Sequence, residues 1–135
     1  MFVDGIDRPA AETIVERLQA ATAPMAVTQL RVLGGAMARV PADTTAFAHR
    51  DSRIVANVAA MYERPDERPA QEAWVDGLAT GLRHADAGAY VGFLDEGAER
   101  VRAAYPQATW HRLAAIKARY DPANLFRLNQ NVPAG

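Results

Sequence analysis

The spacing of apolar residues predicts four helices along the chain. Residues 9–22 carry apolar side chains every three or four positions, which is the spacing of one face of an amphipathic helix. Asp7 precedes this segment as a candidate helix cap, and Pro24 follows it where a helix cannot continue. The same spacing predicts three further helices, in residues 69–85, 98–105 and 110–120.

Between the first two predicted helices, apolar side chains recur at every second position instead. Residues 26–33 alternate between apolar and polar side chains, as expected for a strand with one face on a core. Gly34-Gly35 interrupts this pattern, and a glycine in a strand commonly marks a bulge or a close backbone approach. Residues 36–40 are expected to continue the strand until Pro41 turns the chain.

Two more strands complete the predicted sheet. Residues 53–62 are almost continuously apolar, which is typical of a central strand covered on both faces. Residues 88–93 are predicted to form a short strand. The order of these elements predicts an α+β fold, with an antiparallel sheet of about three or more strands and helices packed on one face. We expect one domain over residues 1–135.

Composition argues against several classes of function. The 135 residues are 50% hydrophobic and carry a net charge of -1, so there is no electrostatic basis for binding nucleic acid or an anionic membrane. The chain has no cysteine, which excludes disulfides and thiolate metal sites. No segment has the length and apolarity of a membrane span, and the first residues do not resemble a signal peptide. We therefore expect a cytoplasmic protein.

The side chains that carry chemistry do not form a familiar catalytic or metal-binding motif. His49, His84 and His111 lie far apart in the sequence, and no pair has the spacing of two metal ligands on one helix. Ser52 lacks the glycines that flank a hydrolase nucleophile. The glycine pair lacks the third glycine of a dinucleotide loop and the lysine of a P-loop. No metal site is predicted.

Three segments resemble the berberine-bridge-enzyme-like FAD-linked oxidases. In residues 34–50 a glycine pair is followed by Phe47-Ala48-His49-Arg50, which is similar to the F-x-H-R turn of that family. Residues 89–95 are similar to its A-Y-x-N-Y/F-x-D strand, and residues 120–135 are similar to its C-terminal signature. The resemblance extends over residues 26–133, which is most of the chain.

The resemblance implies that the chain corresponds to the second half of a substrate-binding domain and the tail that follows it. Members of the family oxidise a substrate by hydride transfer to flavin. The residues implied for the site are Gly34, Gly35 and Asn129 for FAD, His49 and Phe93 for the substrate, and Tyr90 for catalysis. Structural interpretations compete with these roles: a bulge at the glycine pair, a turn residue at position 49 and an aromatic packing residue at position 90.

Two positions depart from the family pattern. The asparagine of the tyrosine-containing strand is Gly92 here, and the tyrosine base of several members is Phe93, which cannot take a proton. The FAD loops and the flavin-linking histidine and cysteine of the family belong to an N-terminal part that this chain does not match. We therefore expect the chain alone to bind no FAD.

Two functional hypotheses follow. In the first, the chain is part of an FAD-dependent oxidoreductase whose FAD-binding domain is supplied by another polypeptide or was lost in cloning, and the isolated chain is expected to be inactive. In the second, it is a stand-alone, non-catalytic interaction or oligomerisation domain. In either case strand 26–40 and the tail 126–132 would be uncovered, since the family's inter-domain surfaces lie there. Large uncovered apolar surfaces are rare in soluble proteins, so we expect a two-fold homodimer.

Overall fold

The computed structural model describes residues 1–82, 88–94 and 98–133, which fold into two compact units. Unit 1 comprises Met1–Leu33 and Ser52–Ala87, and unit 2 comprises Gly34–Asp51 and Gly88–Gly135. Among the described residues, no helix is both long enough and apolar enough to cross a membrane.

Unit 1 contains a three-stranded antiparallel sheet and two helices. The strands are β1 (Phe2–Val3), β2 (Ala26–Val32) and β3 (Ile54–Ala60), and the helices are α1 (Arg8–Gln19) and α2 (Arg68–Leu82). Strand β3 is central, between β1 and β2, as the apolar run predicts. With the helices of unit 2, this confirms the α+β class.

Helix α1 begins where the sequence predicts and ends earlier. The Asp7 carboxylate accepts a hydrogen bond from the Ala10 amide at 2.9 Å, which satisfies one of the free donors of the first turn. At the other end, the Trp74 indole N–H of α2 donates to the Arg17 carbonyl at 3.0 Å. This bond occupies a carbonyl of the last turn that has no partner within a helix, so α2 stabilises the end of α1.

The core of unit 1 lies between its helices. Ala10 and Ile14 of α1 and Leu78 and Leu82 of α2 form one cluster of buried residues. Partly buried apolar residues from the sheet, the helices and the first residues of the chain pack around it: Met1, Ile6, Leu18, Val58 and Trp74. The apolar stripes that predict α1 and α2 therefore face each other.

Two predicted strands are wrong. Residues 36–40 do not continue β2, because Gly34 and Gly35 take positive φ values of +143° and +58° and the chain enters a 3-10 turn at Met37–Arg39. Residues 88–93 contain a second 3-10 turn, Val91–Phe93, closed by a hydrogen bond from the Phe93 amide to the Tyr90 carbonyl at 2.9 Å. The third strand is the two-residue β1, too short for a periodic signal.

Unit 2 is built from helices, turns and a structured loop. Its helices are α3 (Ala98–Ala103) and α4 (Gln107–Tyr120), which confirms the last two helix predictions apart from their ends. The loop comprises residues 34–51, and the Arg50 guanidinium fixes it by donating to the Phe47 carbonyl at 3.0 Å, the Met37 carbonyl at 3.2 Å and the Thr45 hydroxyl at 2.6 Å. The end of the predicted helix 69–85 lies beyond Leu82, outside the described residues.

Candidate functional site

A small cavity in unit 2 is the candidate site. Its volume is about 160 Å³, close to the roughly 150 Å³ of a cavity that holds a benzene molecule. The loop, the segment after Gly88 and the residues that follow α3 each contribute to its wall. The lining residues are Ala46, Phe47, His49, Ala89, Tyr90, Val91, Ala104 and Tyr105.

His49 joins the loop to the end of α3. Its ring nitrogen Nε2 donates a hydrogen bond to the Ala104 carbonyl at 3.0 Å. Gly88 lies against the imidazole so closely that a Cβ there would come within 2.2 Å of the His49 Cε1 atom. A larger residue at position 88 would displace the imidazole, so glycine at this position is required for the observed wall of the cavity.

Tyr90 lies between two other aromatic rings. Its ring meets the Phe93 ring edge to face, with centroids 5.1 Å apart, and the Phe47 ring at 6.2 Å. A Cβ on Gly92 would come within 2.9 Å of the Tyr90 Cε1 atom. The departure from the family asparagine at position 92 therefore makes room for the Tyr90 ring in this conformation.

Tyr105 is a polar residue of the cavity that the sequence did not indicate as a site residue. It follows α3 and packs its ring near Trp110, with centroids 6.3 Å apart. Burial raises the pKa of Tyr105, and the charge that an ionised Tyr90 would carry raises it further. The sequence offers only a helical apolar position as a signal, which does not distinguish a core residue from a cavity residue.

The other predicted site residues do not line this cavity. Gly34 and Gly35 follow β2, and a Cβ on either would have no atom within 4 Å. Asn129 takes a φ of +59° in an exposed bend of the tail. Phe93 contacts the Tyr90 ring. The structure thus brings His49 and Tyr90 together, and the roles proposed for all six residues stay predictions.

The described residues do not fit FAD as a whole. A flavin dinucleotide has a pyrophosphate, which proteins commonly bind with a glycine-rich loop and the N-terminus of a helix. Gly34-Gly35 leads instead into a three-residue 3-10 turn. Helix α4 is preceded by Tyr105 and Pro106, and no glycine-rich loop leads into it.

Metal ligands do not gather in the described part of the chain either. No group of three or more histidine, aspartate or glutamate side chains there could hold a metal ion. His84, and the adjacent carboxylates Asp95 and Glu96, lie outside the described residues.

The C-terminal tail has a fixed backbone and exposed apolar side chains. The Asp121 carboxylate accepts hydrogen bonds from the Leu125 amide at 2.8 Å and the Phe126 amide at 3.0 Å, and it pairs with Lys117. The hydrogen bond from Lys117, followed by the two backbone bonds, lowers the pKa of Asp121 despite some desolvation. Leu125, Phe126 and Leu128 are nevertheless 72–83% exposed.

Comparisons with known proteins agree on one family. A family model described as "Berberine and berberine like" matches residues 89–133. The FAD-linked oxidoreductase YgaK of Bacillus subtilis is 33% identical over 132 residues, which cover 95% of this chain and 29% of the relative. YvdP of the same organism is 35% identical over 100 residues, covering 74% of this chain and 22% of the relative.

A fungal relative extends the same relationship. The xylooligosaccharide oxidase of Thermothelomyces thermophilus is 32% identical over 105 residues, covering 72% of this chain and 21% of that enzyme. The chain thus spans less than a third of the length of each of these relatives. It belongs to the berberine-bridge-enzyme-like family of FAD-linked oxidoreductases.

Proposed function

We propose that this chain forms the substrate-binding part of an FAD-linked oxidoreductase, with FAD held by a polypeptide that supplies the flavin-binding domain. The cavity of unit 2 supports this, because five of its eight lining residues fall within the segment that matches the family model: Ala89, Tyr90, Val91, Ala104 and Tyr105 lie in residues 89–133. When bound, the flavin would supply the redox chemistry, as the accepting cofactor of the family.

The residues of this chain would bind and orient the substrate. The aromatic and alanine side chains give the cavity a mostly apolar wall, and a bound substrate would displace water from it, which would strengthen any polar contact made inside. Tyr90 brings a hydroxyl that can both donate and accept a hydrogen bond, whereas its neighbour Phe93 can do neither. Tyr90 is therefore the proposed proton-active group, and Phe93 the residue that supports its ring.

A second candidate function is a non-catalytic interaction domain. The observation in its favour is the poor fit of the described residues to the phosphates of FAD. The exposed apolar side chains of the tail would then serve association instead of docking to a flavin domain.

Flavin retention distinguishes these candidates. The chain incubated with FAD and passed through gel filtration should be colourless, since it offers no complete flavin site. Co-expressed with the remaining two-thirds or more of YgaK as a separate polypeptide, it should elute in a yellow complex. The control is the same portion of YgaK expressed alone, which measures how much flavin that portion retains by itself. A chain that stays yellow alone contradicts the first expectation, and the absence of any complex contradicts the proposed function.

We also propose that the isolated chain forms a two-fold homodimer. The support is exposed apolar surface at the two segments predicted to make contact: Val32 of β2 is 84% exposed, and Phe126 and Leu128 of the tail are each 83% exposed. Strand β2 is also an edge strand of its sheet, and exposed strand edges readily pair with another chain.

Light scattering tests the dimer. The gel-filtered chain at micromolar concentration should show twice its 14.6 kDa mass. The charged variants Val32→Lys and Phe126→Glu should shift it to the monomer, whereas Met61→Lys, another exposed apolar position, should leave the dimer intact. A monomer mass for the unmodified chain would contradict the proposal.

A further inference from the structure

We propose that Tyr105 is a ligand-recognition residue of the unit 2 cavity, and that the cavity accepts a single neutral ring carrying a hydroxyl group. Tyr90 and Tyr105 together would bind the hydroxyl oxygen and its proton. The inference rests on the proposed function only in taking the cavity to be a binding site, and it adds the chemical class of the ligand and a second recognition residue.

The size and walls of the cavity indicate one ring. A volume of about 160 Å³ accommodates one six-membered ring, so a larger compound would have to extend out of the cavity. The Phe47 and Tyr90 rings meet at 68°, which presents both an aromatic edge and an aromatic face. Aromatic rings pack favourably in both orientations, while Ala46, Ala89 and Val91 add a smooth apolar wall.

The polar groups of the cavity indicate a hydroxyl. Neither the Tyr90 nor the Tyr105 hydroxyl makes a hydrogen bond to another group within the part of the chain that the structure describes. The third polar side chain, His49, already donates from Nε2 to the Ala104 carbonyl. A tyrosine hydroxyl both donates and accepts, so a ligand hydroxyl could donate to one tyrosine and accept from the other.

The charge of the cavity indicates a neutral ligand. Among the residues that the structure describes, its lining includes no lysine, arginine, aspartate or glutamate. A carboxylate or ammonium ion entering this apolar space would lose its hydration without gaining a partner of opposite charge. A tyrosine hydroxyl is protonated at neutral pH and able to donate, and burial raises the pKa of Tyr105 further in the same direction.

Tyr105 is held in place from outside the cavity. The Arg102 guanidinium donates to the Tyr105 carbonyl at 3.1 Å and also lies over the Trp110 ring, 5.1 Å from its centroid. The Trp110 ring in turn contacts the ring of Tyr105. A residue fixed by such neighbours loses little side-chain freedom when it binds a ligand, which favours recognition over loose packing.

A titration of the isotopically labelled chain followed by NMR tests the inference without any flavin. Phenol, the neutral hydroxylated ring, should shift the signals of Tyr90, Val91 and Tyr105 at millimolar concentration. Toluene has the same ring without the hydroxyl and should bind about threefold to tenfold more weakly, as expected for the loss of one or more hydrogen bonds. Benzoate should bind more weakly than phenol.

Variants assign the preference to Tyr105. Tyr105→Phe should reduce the affinity for phenol about threefold to tenfold and leave the affinity for toluene unchanged. Tyr62→Phe removes a tyrosine hydroxyl from unit 1 and is the matched control. Ala89→Leu should fill the cavity and abolish binding of both probes. Equal binding of phenol and toluene by the unmodified chain would overturn the inference, as would unchanged phenol affinity in Tyr105→Phe.

The two proposals fail separately. A phenol preference lost in Tyr105→Phe, together with no flavin-containing complex, would reject the proposed function and keep the ligand class. A yellow complex with no binding of phenol would support the proposed function and reject the ligand class.

Discussion

Replacing Leu78 with alanine is expected to destabilise unit 1 by about 3 kcal/mol, within the range of buried Leu→Ala substitutions. Leu78 is 0% exposed and belongs to the cluster between α1 and α2. Truncation would remove apolar contacts and leave a cavity that a helix pair can only partly close. A loss of this size is roughly a hundredfold or more in the equilibrium between folded and unfolded states.

Urea denaturation followed by tryptophan fluorescence measures this loss. Trp74 packs against the same cluster and reports on unit 1, so the measurement is made in a Trp110→Phe background that removes the signal from unit 2. Val15→Ala is the matched control, because Val15 lies on the exposed face of the same helix pair and is 52% exposed. The control should change stability by about 0.5 kcal/mol or less. Equal losses in both variants would contradict the assignment of the core.

The core of unit 1 could be predicted from the sequence, because its buried residues recur at helical spacing along α1 and α2. Ile14 and Leu78 belong to the stripes that predict α1 and α2, and both are buried. The central position of strand β3 could also be predicted, since a continuous apolar run is typical of a central strand. The C-terminal end of α1 was harder to predict, because a hydrogen bond from Trp74, which is distant in sequence, stabilises it.

The two wrong strands show where local pattern fails. Positions 36–40 follow a pair of glycines whose positive φ values redirect the backbone, and an apolar pattern carries no information about φ. In residues 88–93 the pattern fits a strand equally well, but Tyr90 folds its ring over Gly92 and the backbone closes a turn. A strand also needs a neighbour with which to pair, and pairing is a property of the fold.

The candidate site was predicted only in part. His49 and Tyr90 entered through short motifs, and they do line one cavity. Tyr105 belongs to no recognisable motif. Its position beside the cavity is evident only from the three-dimensional arrangement of α3 and the loop that contains Arg50. The close approach of the His49 ring to Gly88 and of the Tyr90 ring to Gly92 could not be predicted either, because the sequence shows a glycine without showing what packs against it.

Tyr90→Phe is expected to reduce the turnover of a complete enzyme, assembled from this chain and a flavin-binding polypeptide, about a hundredfold or more. That is the typical loss when a well-placed general acid or base is removed. The substitution deletes one oxygen and preserves the ring that contacts Phe47 and Phe93, so the aromatic walls of the cavity should persist. Measurements of kcat and KM across pH, together with the flavin content of the complex, check this expectation.

Two control variants separate proton transfer from packing. Phe93→Leu removes an aromatic neighbour of Tyr90 and no proton-active group, so it should weaken substrate binding more than turnover. Tyr105→Phe removes the second hydroxyl of the cavity and, as a recognition residue, should raise KM with a smaller effect on kcat. If Tyr90→Phe retains full turnover with a normal flavin content, Tyr90 has no catalytic role and its hydroxyl serves binding alone. If the Tyr90→Phe and Tyr105→Phe variants instead lose kcat equally and the double variant loses no more than either, the two hydroxyls act as one unit, because groups that share one step show such non-additive losses.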